Sequence, residues 1–403
     1  MSNTLKTSEF DKLDYCSLEE VVDILDGQRK PIKQGDRISG NIPYYGATGV
    51  IDFVNDYIFD DDLVLVGEDG ENIKSRVLPM AFKISGKSWV NNHAHVLKPH
   101  SINLDFLMQY LNIIDYTPYI TGTAQPKLNQ QSLRKIKILN LPLAEQQKIA
   151  EILSSVDAAI EKTEQVIAKT EEVKKGLMQQ LLTKGIGHTE FKQTEIGEIP
   201  VSWEVNEIGT LIQVQGGYAF KSKDAVDSGV RWFKIANVSV GNIKWEDVSY
   251  LPTDYSEIYK DYLLKERDFV VALTRPILKN ELKIAQINKS DIPALLNQRV
   301  GRIRYKKEVN PQFIYYVMTS KYYVDEINSR ILGTDPPNVS PKQLESILIQ
   351  IPSIEEQLEI VSILENVDTK IKREEDILFK LNKLKQGLMQ QLLTGQVRVG
   401  SLC

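Results

Sequence analysis

Two stretches of the chain place apolar residues at alternating spacings of four and three. One stripe runs through Ile149, Leu153, Val156, Ile160, Thr163, Ile167, Thr170, Lys174, Leu177 and Leu181. The other runs through Ile360, Leu364, Val367, Ile371, Glu374, Leu378, Leu381, Lys385, Leu388 and Leu392. Such spacing over more than four heptads predicts long coiled-coil helices with these stripes as the interface. Lys174 and Lys385 interrupt the stripes at equivalent places, where Val173 and Leu384 are expected to substitute from the adjacent position. Pro142 and Glu145 mark the start of the first helix, and Ser353-x-x-Glu356 fits a capping box at the second. Gly185 and Gly395 suit the two C-caps. Each stripe needs a partner, and the other copy is the obvious one. The chain between them leaves the end of one helix and enters the start of the other, so the pair is expected to run antiparallel.

Outside these stretches the periods are shorter. Residues 64–69 (VLVGED), 81–85 (AFKIS), 268–273 (DFVVAL) and 300–305 (VGRIRY) read as strands. Residues 103–114 read as a short helix, and residues 310–327 (NPQFIYYVMTSKYYVDEI) as one longer helix. Both blocks are mixed α/β.

The octapeptide GLMQQLLT stands at 176–183 and again at 387–394. Shifting the chain by 211 residues extends the match upstream, and 19 of the 41 positions from 143 to 183 are identical. The same shift lays GTAQPKLN (122–129) on GTDPPNVS (333–340), and WVNNHAHVL (89–97) corresponds to LLNQRVGRI (295–303). Self-similarity at a fixed offset means a duplicated unit. The order is a variable block, a shared block, a second variable block, and the shared block again.

The length of 403 residues allows two to three domains, and 42% hydrophobic with 26% charged residues is ordinary soluble composition. No segment has the apolar length of a membrane span, the N-terminus is too polar for a signal peptide, and Cys16 and Cys403 cannot build a disulfide framework. The expected location is the cytoplasm. Net charge is −5. Residues 1–140 carry 15 Lys+Arg against 18 Asp+Glu, and residues 187–350 carry 21 against 21. No block is strongly basic, so nucleic-acid binding would need a local patch or a cationic partner.

The duplicated EQ…I..IL..VD..I and GLMQQLLT blocks, with IPYYGATGVID (42–52), GEDGE (67–71), WVNNHAHVL, GTAQPKLNQ and GGYAFKS (216–222), resemble the specificity subunit of type I restriction–modification systems. The resemblance covers essentially the whole chain. It implies two α/β (α+β) target-recognition domains separated by an antiparallel coiled coil of two long helices, with an internal pseudo-twofold repeat. The domains would be 1–141 and 187–350, each followed by a shared helix, 142–186 and 351–403 with its tail. It further implies a split double-stranded DNA site, two methyltransferase partners that bind S-adenosylmethionine, a motor-nuclease subunit that joins in some complexes, and no cofactor in this chain.

Catalytic signatures are absent from the sequence. DPPN (335–338) ends in Asn338 where a methyltransferase motif needs an aromatic to stack on the flipped base. GDRISGN (35–41) has P-loop glycine spacing but Asn41 in place of the lysine. His93 and His95 alternate and could share a face, yet only His100 and His188 remain elsewhere, so a metal site lacks a third ligand of the usual kind. The expectation is a non-catalytic subunit.

Arg and Lys read guanine edges and Asn and Gln read adenine, while phosphates take Lys, Arg, Ser, Thr and backbone N–H. Loops combining these types give the DNA-binding candidates: Tyr44, Tyr45, Asn91, Asn92, His93, Thr123, Gln125 and Lys127 in the first block, and Tyr218, Lys221, Arg275, Lys279, Asn297, Gln298, Arg299 and Thr334 in the second. Tyr44 and Phe220 read equally well as core. Two other functions fit the same organisation: a stand-alone two-headed DNA-binding regulator, which needs its own basic footprint, and a coiled-coil adaptor without DNA, which has no need of two divergent blocks.

Overall fold

The computed structural model describes residues 13–69, 72–122, 126–331, 333 and 335–399. The chain forms two compact units, residues 1–166 with 374–403, and residues 167–373.

In the first unit, Val22–Ile24, Ala94–Pro99, Leu63–Gly67 and Ala81–Ile84 form a four-stranded antiparallel sheet in that order. A second sheet holds Gly49–Val54, Ser39–Gly46, Lys87–Val90 and Phe59–Asp60, with Ser39–Gly46 and Lys87–Val90 parallel. Helix Leu104–Ile113 begins at Asn103, whose side chain accepts from the Phe106 N–H. Its Phe106, Leu107 and Leu111 are buried with Val64, Val66 and Leu97 of the sheet and with Ile149 and Leu153 of the first long helix. Burying each such side chain stabilises the unit by about 1.5–3 kcal/mol.

The second unit repeats the plan. Ile212–Gly216, Val300–Tyr305, Phe269–Ala272 and Ile284–Gln286 form an antiparallel sheet. Tyr250–Leu251, Val230–Phe233 and Ala294–Leu296 form another, whose last two strands are parallel. Residues 310–327 are two helices and not one, Pro311–Thr319 and Lys321–Ile331. Ser320 between them is extended (φ −64, ψ 151) and returns its hydroxyl to the Val317 carbonyl. The turn lets Phe313, Ile314, Tyr323, Val324 and Ile327 all reach one core with Ile360 and Leu364, which a straight helix would spread around its circumference. Arg302 is fully buried and ties Leu263 and Asp268 to Gln215 through its guanidinium.

The long helices span Leu143–Lys184 (42 residues) and Ile354–Leu393 (40 residues). None of the stripe positions is exposed. Val173 and Leu384, however, do not substitute for the lysines, since they are 56% and 51% exposed. Lys174 and Lys385 stay in the stripe, where the aliphatic stem is covered and only the ammonium needs a counter-charge. Asp368 supplies it to Lys174 in the second unit, and Asp157 supplies it to Lys385 in the first, each at 2.5 Å. The same two carboxylates accept from Tyr316 Oη and Gln109 Nε2, tying each helix to its neighbouring short helix.

The repeated Glu-Gln pairs are joints as well. In the first unit Gln146 accepts from the Asn103 N–H and donates to the Leu141 carbonyl. In the second, Gln357 does the same with Asn310 and Pro352. Glu145 accepts from Arg398 Nε and Nη2 and from the Val399 N–H. Glu356 accepts from the Ile186 N–H, His188 Nε2 and Trp203 Nε1. Glu356 therefore does not close the capping box. Ser353 Oγ accepts from its backbone N–H, but its carboxylate is turned toward the chain leaving the other helix. Gly185 sits there with φ +64, and a Cβ on it would lie 2.3 Å from Glu356 Oε1.

Candidate nucleic-acid interface

Each unit carries the same backbone frame. A short turn leaves the parallel strand and enters the main sheet, as Asn91-Asn92-His93 after Lys87–Val90 and as Asn297-Gln298-Arg299 after Ala294–Leu296. The first residue of each turn donates its N–H to the paired strand, Asn91 to the Tyr45 carbonyl and Asn297 to the Phe233 carbonyl, both at 3.0 Å. The last residue accepts, His93 from the Glu68 N–H and Arg299 from the Leu273 N–H, both at 2.9 Å. Glu68 and Leu273 then hold the Gly-Thr segments, accepting from the N–H groups of Leu128 and Val339, again at 2.9 Å. Bridges Asp69 to Lys127 and Thr274 to Asn338 complete the frame.

Fixed at both ends by main-chain bonds, these turns present their second and third side chains outward. Asn92, His93, Gln298 and Arg299 are exposed. The frame is alike and the exposed side chains differ.

Several sequence candidates sit elsewhere. Tyr44 is only 1% exposed, its hydroxyl accepts from the Ile32 N–H, and Arg37 lies 4.5 Å over its ring, so it is a strut of the fold and does not face a ligand. Asn91 is buried, and its side chain accepts from the His93 N–H, shaping the turn from within. Tyr45 is half-buried against Phe82, and burial pushes its hydroxyl pKa up. His93 and His95 do not share a face. His93 stands in the exposed turn with Nδ1 at 3.0 Å from Asp69, whereas His95 is buried between Asp26 Oδ2 and the Leu128 carbonyl, both at 2.6 Å. Thr123 and Gln125 lie outside the described residues, as does Thr334.

Lys127 is captured within the first unit. Its ammonium lies 2.9 Å from Glu68, which also receives Arg29 at 2.6 Å. Burial would raise the Glu68 carboxyl, but Arg29 and Lys127 hold it below its ordinary value, and that hydrogen bond raises Lys127 in turn. Asp26 is likewise held low against its burial by His95 and the Val96 N–H. This network clamps the segment 126–130 to the sheet. Nothing in the sequence marked it, because its members come from four separated segments.

In the second unit, Phe220, Ser222, Trp232, Lys234, Asn297, Gln298 and Arg299 line an open cleft of about 340 Å³. Tyr218 stands beside it, 38% exposed, with its ring 4.5 Å from Tyr259 and 5.5 Å from Tyr262. Phe220 is buried. Lys221 is exposed and its N–H donates to Asp224. Arg275 and Lys279 are exposed on the hairpin that follows Thr274. Lys234 was not among the sequence candidates, having no motif around it. Its ammonium lies 4.2 Å over the Trp232 ring and donates to Ser249 Oγ. Among the described residues, no group of three or more His, Cys, Asp and Glu could hold a metal ion, and no helix is long and apolar enough to cross a membrane.

Comparison with known proteins agrees with this architecture. The family model "Type I restriction modification DNA specificity domain" matches twice, at residues 11–172 and 200–383. The chain is 39% identical over 283 residues to the type I restriction enzyme MjaVIII specificity subunit of Methanocaldococcus jannaschii, covering 70% of this chain and 67% of that one. It is 26% identical over 371 residues to a putative type I restriction enzyme specificity subunit of Haemophilus influenzae, covering 90% of each. The fold is similar to the crystal structure of the type I restriction–modification S subunit of M. genitalium, with a TM-score of 0.62 at 14% identity over 96% of this chain and 98% of that one.

Proposed function

This chain belongs to the type I restriction modification DNA specificity family, and from that premise we propose how it serves as the specificity subunit. Each unit reads one half of a split site in double-stranded DNA. The observation that carries this reading is the shared frame with unlike exposed side chains, Asn92-His93 in one unit and Gln298-Arg299 in the other. Asn and Gln offer the paired donor and acceptor that adenine's N6 and N7 demand, and Arg offers the fork that fits guanine O6 and N7. The recognition domains are residues 1–141 and 187–350, and the shared helices 142–186 and 351–403 join them.

The helices form an antiparallel coiled coil with pseudo-twofold symmetry. Support comes from each unit separately: the residue pairs 145 with 398 and 157 with 385 in one, and 174 with 368 in the other, join the start of one helix to the end of its partner. The pair spaces the recognition domains and provides two equivalent docking surfaces for two methyltransferase subunits, with motor-nuclease subunits added in a restricting complex. Those partners bind S-adenosylmethionine and do the chemistry. This chain holds no cofactor and is not an enzyme, and it acts in the cytoplasm.

Domain exchange tests the reading. Replacing residues 1–140 by the equivalent block of a relative, then mapping methylated adenines, should change one half of the target only. A change in both halves, or in neither, refutes it. The purified chain alone should transfer no methyl group from S-adenosylmethionine. A regulator or adaptor would purify without a methyltransferase.

A further inference from the structure

A short hairpin follows Thr274 in the second unit. Ile277–Leu278 pairs with Glu281–Leu282 across a two-residue turn, Lys279-Asn280. Both turn residues have positive φ, 50° and 63°, and Arg275 at the hairpin's base has φ 47°. A turn with two positive φ values favours Asn-Gly or Asp-Gly, and a long β-substituted side chain at its first position is unfavourable. Backbone held in this region by non-glycine residues concentrates at ligand clamps and binding sites. Here it puts a lysine at the very tip.

The charges point the same way. Arg275, Lys279 and Lys283 lie on this one hairpin, and Leu273, two residues before Arg275, donates its N–H to the Arg299 carbonyl. Among the described residues, no side-chain hydrogen bond or ion pair joins any of these four cations to an acceptor. Burial, and then the positive charge of Arg275, push the Lys283 ammonium pKa down. Cations gathered without an ion-pair partner repel one another, and a polyanion relieves that repulsion. In the first unit Lys127 and Arg29 are paired with Glu68, and Arg76 donates to the carbonyls of Asn112 and Ile114.

We propose that the hairpin Arg275–Lys283 is a phosphate clamp, gripping the DNA backbone beside the bases that Gln298 and Arg299 read. The inference rests on the DNA-recognition reading and adds to it a division of labour. Arg275, Lys279 and Lys283 supply affinity without sequence preference.

The test uses the full chain as it purifies with its partners, and a fluorescein-labelled mixed-sequence DNA duplex titrated over a range of salt concentrations. Each phosphate contact contributes about 0.9 to the slope of log K against log salt. Arg275→Gln, Lys279→Gln and Lys283→Gln should each flatten the slope by about that amount, and the triple variant by about 2.7. The set of methylated sites should be unchanged. Lys321→Gln, which removes an exposed cation already paired with Asp325, is the control and should leave the slope alone. The clamp is overturned if the hairpin variants keep the wild-type slope, if Lys321→Gln flattens it equally, or if they alter which sites are methylated. If the wild-type preparation binds the duplex without salt dependence, or not at all, the DNA reading itself fails.

Discussion

Glu356 gives the sharpest test of what the repeated Glu-Gln pair does. Its two oxygens have separate duties. Oε1 accepts from the Ile186 N–H at 3.0 Å and His188 Nε2 at 2.8 Å, and Oε2 accepts from Trp203 Nε1 at 2.8 Å. In Glu356→Gln the amide oxygen can keep Ile186 and His188, but the amide nitrogen then faces the indole N–H, donor against donor. Trp203 is 1% exposed and lies in the core of the second unit, so it can neither turn nor find water. Leaving a buried donor unmet costs about 1–3 kcal/mol, with bonds to charged acceptors at the upper end. We expect a loss of about 2–3 kcal/mol. The equivalent change, Glu145→Gln, should cost about 1 kcal/mol. Its Oε1 can keep the Arg398 Nε and Val399 N–H, and the Nη2 donor that loses the Oε2 contact belongs to a side chain 39% exposed, which water reaches. Urea unfolding followed by tryptophan fluorescence reads the difference. At an m-value of about 2 kcal/mol/M the Glu356→Gln midpoint falls by about 1 M, twice the shift of Glu145→Gln or more. Equal shifts, or a larger loss for Glu145→Gln, would refute the argument that burial of the donor decides the cost.

Further outcomes follow from the same contacts. Arg299→Ala should relax one base position of the target at a cost of about 1–3 kcal/mol in discrimination, read by methylation mapping; uniform weakening across sequences would mark Arg299 as a phosphate contact instead. A heptad inserted into both long helices at matched levels adds about 10 Å, or roughly three base pairs at 3.4 Å each. The spacer between half-sites should lengthen by two to four while the half-sites stay the same; an unchanged spacer in an active complex would count against the helices as a ruler. Glu68→Gln leaves Arg29 and Lys127 facing a neutral group, with an expected loss of about 3 kcal/mol at pH 7. Because the folded Glu68 carboxyl lies below its unfolded value, its contribution is present above the ordinary carboxylate range and disappears as pH falls through the folded value. Urea midpoints of wild type and variant should therefore converge below about pH 4, and a gap that stays constant into acid would exclude the ionic account.

The sequence by itself determined what is periodic. Stripes of four and three settle which side of a helix faces inward, since that side depends only on residue spacing along one element, and no stripe position from Ile149 to Leu181 or from Ile360 to Leu392 is exposed. The same locality holds for Gly185 and Gly395, whose φ values of +64° and +74° are those of helix-ending glycines. What only the tertiary structure decided is the partner of each polar group. Lys174 and Val173 are neighbours in sequence, and nothing local says that the lysine keeps the stripe because Asp368 waits across it. Lys127 and Arg299 look equally suited to DNA on paper. One is captured by Glu68, 59 residues away, and the other is exposed with no ion pair among the described residues. Tyr44 and Tyr45 are adjacent, yet the strand's alternation and the donor at Ile32 put the first inside. Hydrophobic burial is a property of pattern, so it survives translation from sequence to fold. Charge compensation and hydrogen bonding need a specific atom within about 3 Å, and which atom arrives there is set by the path of the whole chain.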